Sequence, residues 1–114
     1  MLPQRHRQLK SEDIKLLFED PHTRSTNAYL RVHTRVTEYE TPSQFVVIVS
    51  RKVHKSAVKR NMIRRQLYSI LSRLFSEWTA GLRVAILVKP SFLKLSRTER
   101  LQIFLDTLHG ADLL

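Results

Sequence analysis

The chain has 114 residues, 42% of them apolar, and carries 20 Lys and Arg against 10 Asp and Glu, a formal net charge of +10. That apolar share supports one domain with a core and excludes a disordered basic tail; the lack of cysteine excludes disulfides and thiolate metal sites. No run reaches the roughly 18 apolar residues that span a bilayer, and the basic N-terminus leads into no apolar signal segment, so the sequence predicts a soluble, cytoplasmic protein with an anionic partner and no membrane contact.

Residues 1–10 are polar and basic and read as an extended arm. Ser11 can cap a short helix with Glu12 and Asp13 in its first turn, where negative charge suits the helix dipole. Ile14, Leu17 and Phe18 form its apolar stripe, and Pro21 stops it. From Ala28 to Val36 the residues alternate. Leu30, Val32, Thr34 and Val36 share one face and Tyr29, Arg31, His33 and Arg35 the other, the period of a half-buried strand. Room remains for a further strand near 22–28. Glu38 to Ser43, with Pro42, reads as a turn. Phe45-Val46-Val47-Ile48-Val49 is a continuous apolar run, as expected of a central strand covered on both faces.

A basic loop at 51–57 leads into a long helix from about Val58 to Trp78. Ile63, Leu67, Ile70, Leu71, Leu74 and Trp78 recur at helical spacing as its core stripe; Asn61 and Arg65 point away, and Arg60 and Arg64 flank the stripe. Gly81 ends the connection. Val84 to Val88 is a second buried strand, closed by Lys89-Pro90. Ser96 and Glu99 fit a capping box, opening a last helix that buries Leu101, Phe104, Leu105 and Leu108. The order is α-β-β-α-β-α, and its middle β-α-β unit implies two parallel strands joined by a helix.

Charge is distributed unevenly along these elements. Between Glu40 and Glu77 there is no acidic residue, while Arg51, Lys52, Lys55, Lys59, Arg60, Arg64 and Arg65 crowd into the loop and the start of the helix. Crowded like charges raise each other's energy, and a polyphosphate lowers it while releasing condensed counterions. No carboxylates stand at helical spacing to neutralise the run. Arg is frequent in it, and its planar fork suits phosphate. The segment therefore reads as a nucleic-acid contact rather than a solvated face. The Tyr29, Arg31, His33, Arg35 face is a second candidate, since an aromatic beside cations on a sheet suits a single strand; an ordinary solvent-facing strand fits it equally well. His6, His22, His33, His54 and His109 are scattered, with no pair at metal-site spacing. No Gly-rich phosphate loop exists.

The segment Ser50-Arg51-Lys52-Val53-His54-Lys55-Ser56-Ala57-Val58-Lys59-Arg60-Asn61-Met62-Ile63-Arg64-Arg65 resembles the signature of the bacterial ribonuclease P protein subunit. In that family a strand ends in Ser-Lys-Lys-Val, a basic loop reaches Ala-Val, and a helix follows with Arg-Asn-Arg-Ile-Lys-Arg. The flanks agree in order and spacing: the basic arm Leu2 to Arg7, the helix from Glu12-Asp13 to Phe18, and Lys89-Pro90 followed by Leu95-Ser96-Arg97-Thr98-Glu99. The resemblance implies a two-layer α/β (α+β) sandwich of the ribosomal protein S5 domain 2-like type, with a left-handed β-α-β crossover. It implies a noncatalytic protein subunit of an RNA enzyme that removes the 5′ leader of precursor tRNA, with Mg²⁺ held mainly by ribonuclease P RNA and no small-molecule substrate. Carried over by position, Arg60, Asn61, Arg64 and Arg65 contact the RNA subunit, and Arg51, Lys52, Lys55 and Lys59 extend that surface. The single-stranded leader would lie in a cleft carrying Ile14, Phe18, Tyr29, Arg31 and Lys89.

The chain departs from the family pattern where Met62 replaces the second Arg of Arg-Asn-Arg, where the loop holds an extra residue and lacks its Gly, where Gln66-Leu67-Tyr68 loses a later Arg, and where Ile14 stands for an aromatic. Two other readings stay open. One is a general RNA-binding or ribosomal protein without a leader site; the other is a stand-alone nuclease using His33 or His54.

Overall fold

The computed structural model describes residues 11–37, 43–75, 81–111 and 113. The expected arm at 1–10, the turn at 38–42 and Trp78 lie outside these residues, as do the side chains of Ser11 and Asp13. Helix α1 runs over Ser11–Glu19, followed by strands β1 (Thr23–Thr26), β2 (Leu30–Val36) and β3 (Gln44–Ile48). Helix α2 (Ala57–Leu74), strand β4 (Leu82–Val88), a 3-10 helix (Pro90–Lys94) and helix α3 (Arg97–Gly110) complete the fold.

The strands form one sheet in the order β1-β2-β4-β3. β2 pairs antiparallel with β1 and β4, and β3 runs parallel to β4 across the α2 crossover. The strand near 22–28 is therefore present as β1. The apolar run of β3 does not make it central: β3 is an edge strand in which Phe45 and Val47 are buried and Val46 and Ile48 half-buried. The crossover carries the chain past β3 and inserts β4 between it and β2, so the doubly covered position falls to Val84, Ala85 and Ile86, all fully buried.

One face of the sheet (Leu30, Val32, Val47, Val84, Ile86, Val88) packs on Ile63, Leu67 and Leu71 of α2 and on Phe104 and Leu108 of α3. Each such side chain contributes about 1.5–3 kcal/mol on burial. The capping box of α3, with Ser96 and Glu99 each accepting the other's backbone N–H, contributes about 1 kcal/mol, so packing rather than capping holds that helix. Two details of the expected stripes change. α2 ends at Leu74, itself exposed rather than part of the core, with Phe75 already extended and buried, so the buried stripe of the helix closes at Leu71. In α3, Leu101 is exposed and Leu105 half-buried, while Thr107 is buried in their place. Thr107 is satisfied there: its hydroxyl donates to the Ile103 carbonyl (2.7 Å) and accepts from Asn27 Nδ2 (2.8 Å).

Helix α1 lies across the other face. Leu17 is fully buried there, outside the main core cluster, and Pro21 follows the last turn. A polar tie fixes the hairpin and a glycine the start of β4. Asn27 Oδ1 accepts the backbone N–H groups of Tyr29 and Leu30 (2.8 and 2.9 Å), shaping the β1–β2 turn. Gly81 sits at φ 87°, a conformation that disfavours a side chain, and turns the chain into β4.

Candidate nucleic-acid interface

The basic segment follows from how β3 ends. Val49 and Val53 are buried on either side of a turn closed by the Val53 N–H on the Ser50 carbonyl (3.0 Å), which pushes Arg51 and Lys52 outward. Two residues on, His54 Nδ1 accepts the Ser56 N–H (2.9 Å), and Ser56 caps α2 by accepting from the Lys59 N–H (3.4 Å). The first turn of α2 holds no acidic residue, so its free N–H groups and positive dipole end face the same side as the cations.

The expected contact residues divide by their bonding. Arg60 is half-buried, and its Nη1 donates to the carbonyls of His54 (2.9 Å) and Lys55 (3.1 Å), stitching the loop to the helix. Arg64 Nη2 donates to Asn61 Oδ1. Arg51, Lys52, Lys55, Lys59 and Arg65 are exposed, and among the described residues none of the eight joins an ion pair. Met62, at the departure from the family pattern, is 44% exposed on the same helix.

A second concavity opens beside α1, on the far face of the sheet. It has a volume of about 430 Å³ and is lined by Phe18, Arg24, Thr26, Arg31 and His33. The register explains the grouping: Arg24 stands opposite His33 and Thr26 opposite Arg31 on the paired strands. The structure thus brings Phe18 and Arg31 together, but not the other three expected cleft residues. Tyr29 precedes β2, escapes its alternation and packs against the main core. Lys89 uses its ammonium on the Asn27 carbonyl, and Ile14 is half-buried on α1 outside the lining. Arg24 and Thr26 were missed; their signal was the short Thr-Arg-Ser-Thr alternation ending at the turn former Asn27.

His33 is buried rather than displayed, at 4% exposure. Its Nδ1 lies 2.9 Å from the Leu17 carbonyl, an acceptor only, so Nδ1 carries the proton and ties β2 to α1. Its ring meets that of Phe18 edge-on, with centroids 5.2 Å apart. Burial pushes its pKa below the usual value, the bond to Leu17 opposes that, and Arg24 and Arg31 lower it further. Arg35, the last cation of that face, pairs with Asp20 (3.3 Å) at the end of α1.

Both sites sit at one end of the sheet. Thr26, Arg31, Leu87 and Ile48 form a continuous row of register partners across all four strands. Ile48 is the last residue of β3, three positions before Arg51 opens the basic loop. The row therefore joins the cleft to the strand that leads into the basic loop.

Comparison with known proteins agrees over most of the chain. The family profile described as Ribonuclease P matches residues 2–111. The ribonuclease P protein component of Synechococcus elongatus is 33% identical over 116 residues, covering 99% of this chain and 95% of that protein. The corresponding protein of a Pseudanabaena species is 31% identical over 100 residues, covering 83% and 85%. Among solved structures, a Staphylococcus aureus RNase P protein mutant with defective mRNA degradation activity superposes with a TM-score of 0.78 at 16% identity, covering 94% of this chain and 88% of that one. The RNase P protein from Thermotoga maritima gives 0.74 at 19%, covering 96% and 98%.

Proposed function

This chain belongs to the ribonuclease P protein family, and from that premise we infer how its two surfaces divide the work. It is the protein component that partners the RNA in a ribonucleoprotein endoribonuclease maturing the 5′ end of tRNA. In our reading the loop at 50–56 and the exposed side of α2 bind ribonuclease P RNA, while the cleft of Phe18, Arg24, Thr26, Arg31 and His33 receives the single-stranded leader of precursor tRNA. Phe18 offers an aromatic ring for stacking, Arg24 and Arg31 offer phosphate contacts, and the row to Ile48 carries the strand towards the RNA subunit.

The protein's contribution to the reaction is positional and electrostatic. Cations at the mouth of α2 neutralise phosphate where RNA and leader converge, which lowers the divalent concentration the assembly needs. Among the described residues no group of three or more His, Asp or Glu side chains is placed to hold a metal ion; we assign to the RNA the Mg²⁺ that activates the attacking water. His33 and His54 each commit Nδ1 to a backbone group, which favours structural roles for both over acid–base chemistry. No helix among the described residues is long and apolar enough to cross a membrane, and we place the protein in the cytoplasm with its RNA.

The observation that carries this reading is the loop–α2 mouth, with exposed cations and no ion pair among the described residues. Reconstitution tests it. At low Mg²⁺, precursor-tRNA cleavage should require both the protein and a ribonuclease P RNA. Cleavage by protein alone would favour a nuclease, and RNA binding without stimulation would favour a structural RNA-binding module.

A further inference from the structure

A second cationic surface lies away from the loop. α2 and α3 approach each other only sparsely, leaving a groove of about 270 Å³ whose polar wall is Gln66, Ser69 and Arg73 of α2 with Arg97, Thr98 and Arg100 of α3. Leu67, Ile70 and Leu101 add apolar lining, and Leu101 is 43% exposed. No carboxylate lines the groove. Gln66, Ser69, Ile70 and Arg73 follow the i, i+3, i+4, i+7 spacing of one helix flank. Arg64 and Arg73 are nine residues apart and so stand about 180° apart around α2. Arg65 lies between them at the crest, which links this flank to the one that carries the family signature.

Two features set this groove apart from an ordinary solvated face. Arg97 is the first residue of α3 and Arg100 the fourth, so both cations sit where the helix dipole favours an anion. Glu99, the one acidic residue of that turn, is committed to the capping box. In addition, Arg100 Nε is buried without an acceptor, and its Nη1 makes only a 3.3 Å bond to the Leu95 carbonyl. An arriving anion would relieve the dipole conflict and offer the Arg100 guanidinium a stronger acceptor than the Leu95 carbonyl at 3.3 Å.

We propose that the α2–α3 groove is a second phosphate-binding site for ribonuclease P RNA, reached by RNA that crosses the crest of α2 at Arg65. The inference rests on the family reading and extends it to a surface outside the signature. The lining decides the kind of occupant. Three arginines without a carboxylate suit a phosphate presented by a longer strand, with Ile70 and Leu101 against its ribose.

The native chain has no cysteine, so a single introduced one carries a photo-crosslinker at a defined point. Thr98→Cys probes the groove and Asn61→Cys the signature flank, each in holoenzyme assembled with ribonuclease P RNA. Thr98→Cys should crosslink to the RNA subunit at nucleotides distinct from those reached by Asn61→Cys. The double variant Arg73→Ala/Arg97→Ala should reduce the log-log salt slope of RNA binding by about two units, additively with Arg65→Ala. Crosslinking from Asn61→Cys alone, with an unchanged slope in the double variant, would overturn the groove and leave the family reading intact. Crosslinks from Thr98→Cys to precursor tRNA only would also overturn it. Silence at both positions would remove the signature surface and the groove together.

Discussion

His33 shows how a polar residue can change its task between sequence and structure. On the strand it alternates with cations, yet its neighbours Leu17 and Phe18 cover it and turn it into a tie between sheet and helix. Its stability contribution has a definite sign with pH. The folded pKa lies below the value of about 6.5 expected in the unfolded chain, so the unfolded state binds the proton first as pH falls. Stability conferred by the neutral ring is fully present above pH 6.5 and is lost as pH drops from there towards the folded value. An asparagine can keep a donor near the position of Nδ1 without titrating. Chemical denaturation between pH 7.5 and 5.5 should show His33→Asn losing less stability than the native chain over that window. Parallel curves for the two proteins would mean that His33 does not titrate differently on folding. The neighbouring distinction between Arg60 and Arg65 is of the same kind: both belong to the signature, but Arg60 is spent on loop carbonyls while Arg65 is free to reach outward.

Among the elements, α1 has two roles, since it buries Leu17 against the far face and supplies Phe18 as one wall of the cleft. A base stacked on an aromatic contributes about 1–3 kcal/mol. Phe18→Ala should therefore weaken precursor tRNA binding to the holoenzyme by about 5- to 150-fold and spare mature tRNA, which lacks the leader. Equal losses for both would remove the leader from this cleft. Element types and order were legible in the sequence because period and caps are local signals. The Ser96–Glu99 box and the Ile63–Leu67–Leu71 stripe stand as read. What escaped depends on neighbours distant along the chain. Nothing within Phe45–Val49 reveals that β4 inserts beside β3 and leaves it at an edge. Nothing within α3 reveals that Asn27, 80 residues away, will satisfy a buried Thr107. The cleft was half legible for the same reason: Phe18 and Arg31 come from separately recognisable elements, whereas Arg24 and Thr26 join them only through the β1–β2 register.

For the molecule as a whole, the sheet gathers its binding chemistry at one end. The β1–β2 turn, the end of β4 and the loop after β3 all meet there, and the cleft leads to them along the Thr26–Ile48 row. A net charge of +10 favours association with any polyanion, so affinity alone does not locate the contact, whereas the dependence of affinity on salt counts the phosphates engaged. The direct measurement is the binding of ribonuclease P RNA across a salt series, comparing the native chain with Arg51→Ala/Lys55→Ala/Arg65→Ala. All three side chains are exposed and make no ion pair among the described residues, so the melting temperature should hold while the log-log slope becomes shallower by about three units, one per lost phosphate contact. Superimposable slopes with an intact fold would show that the mouth of α2 does not grip the RNA.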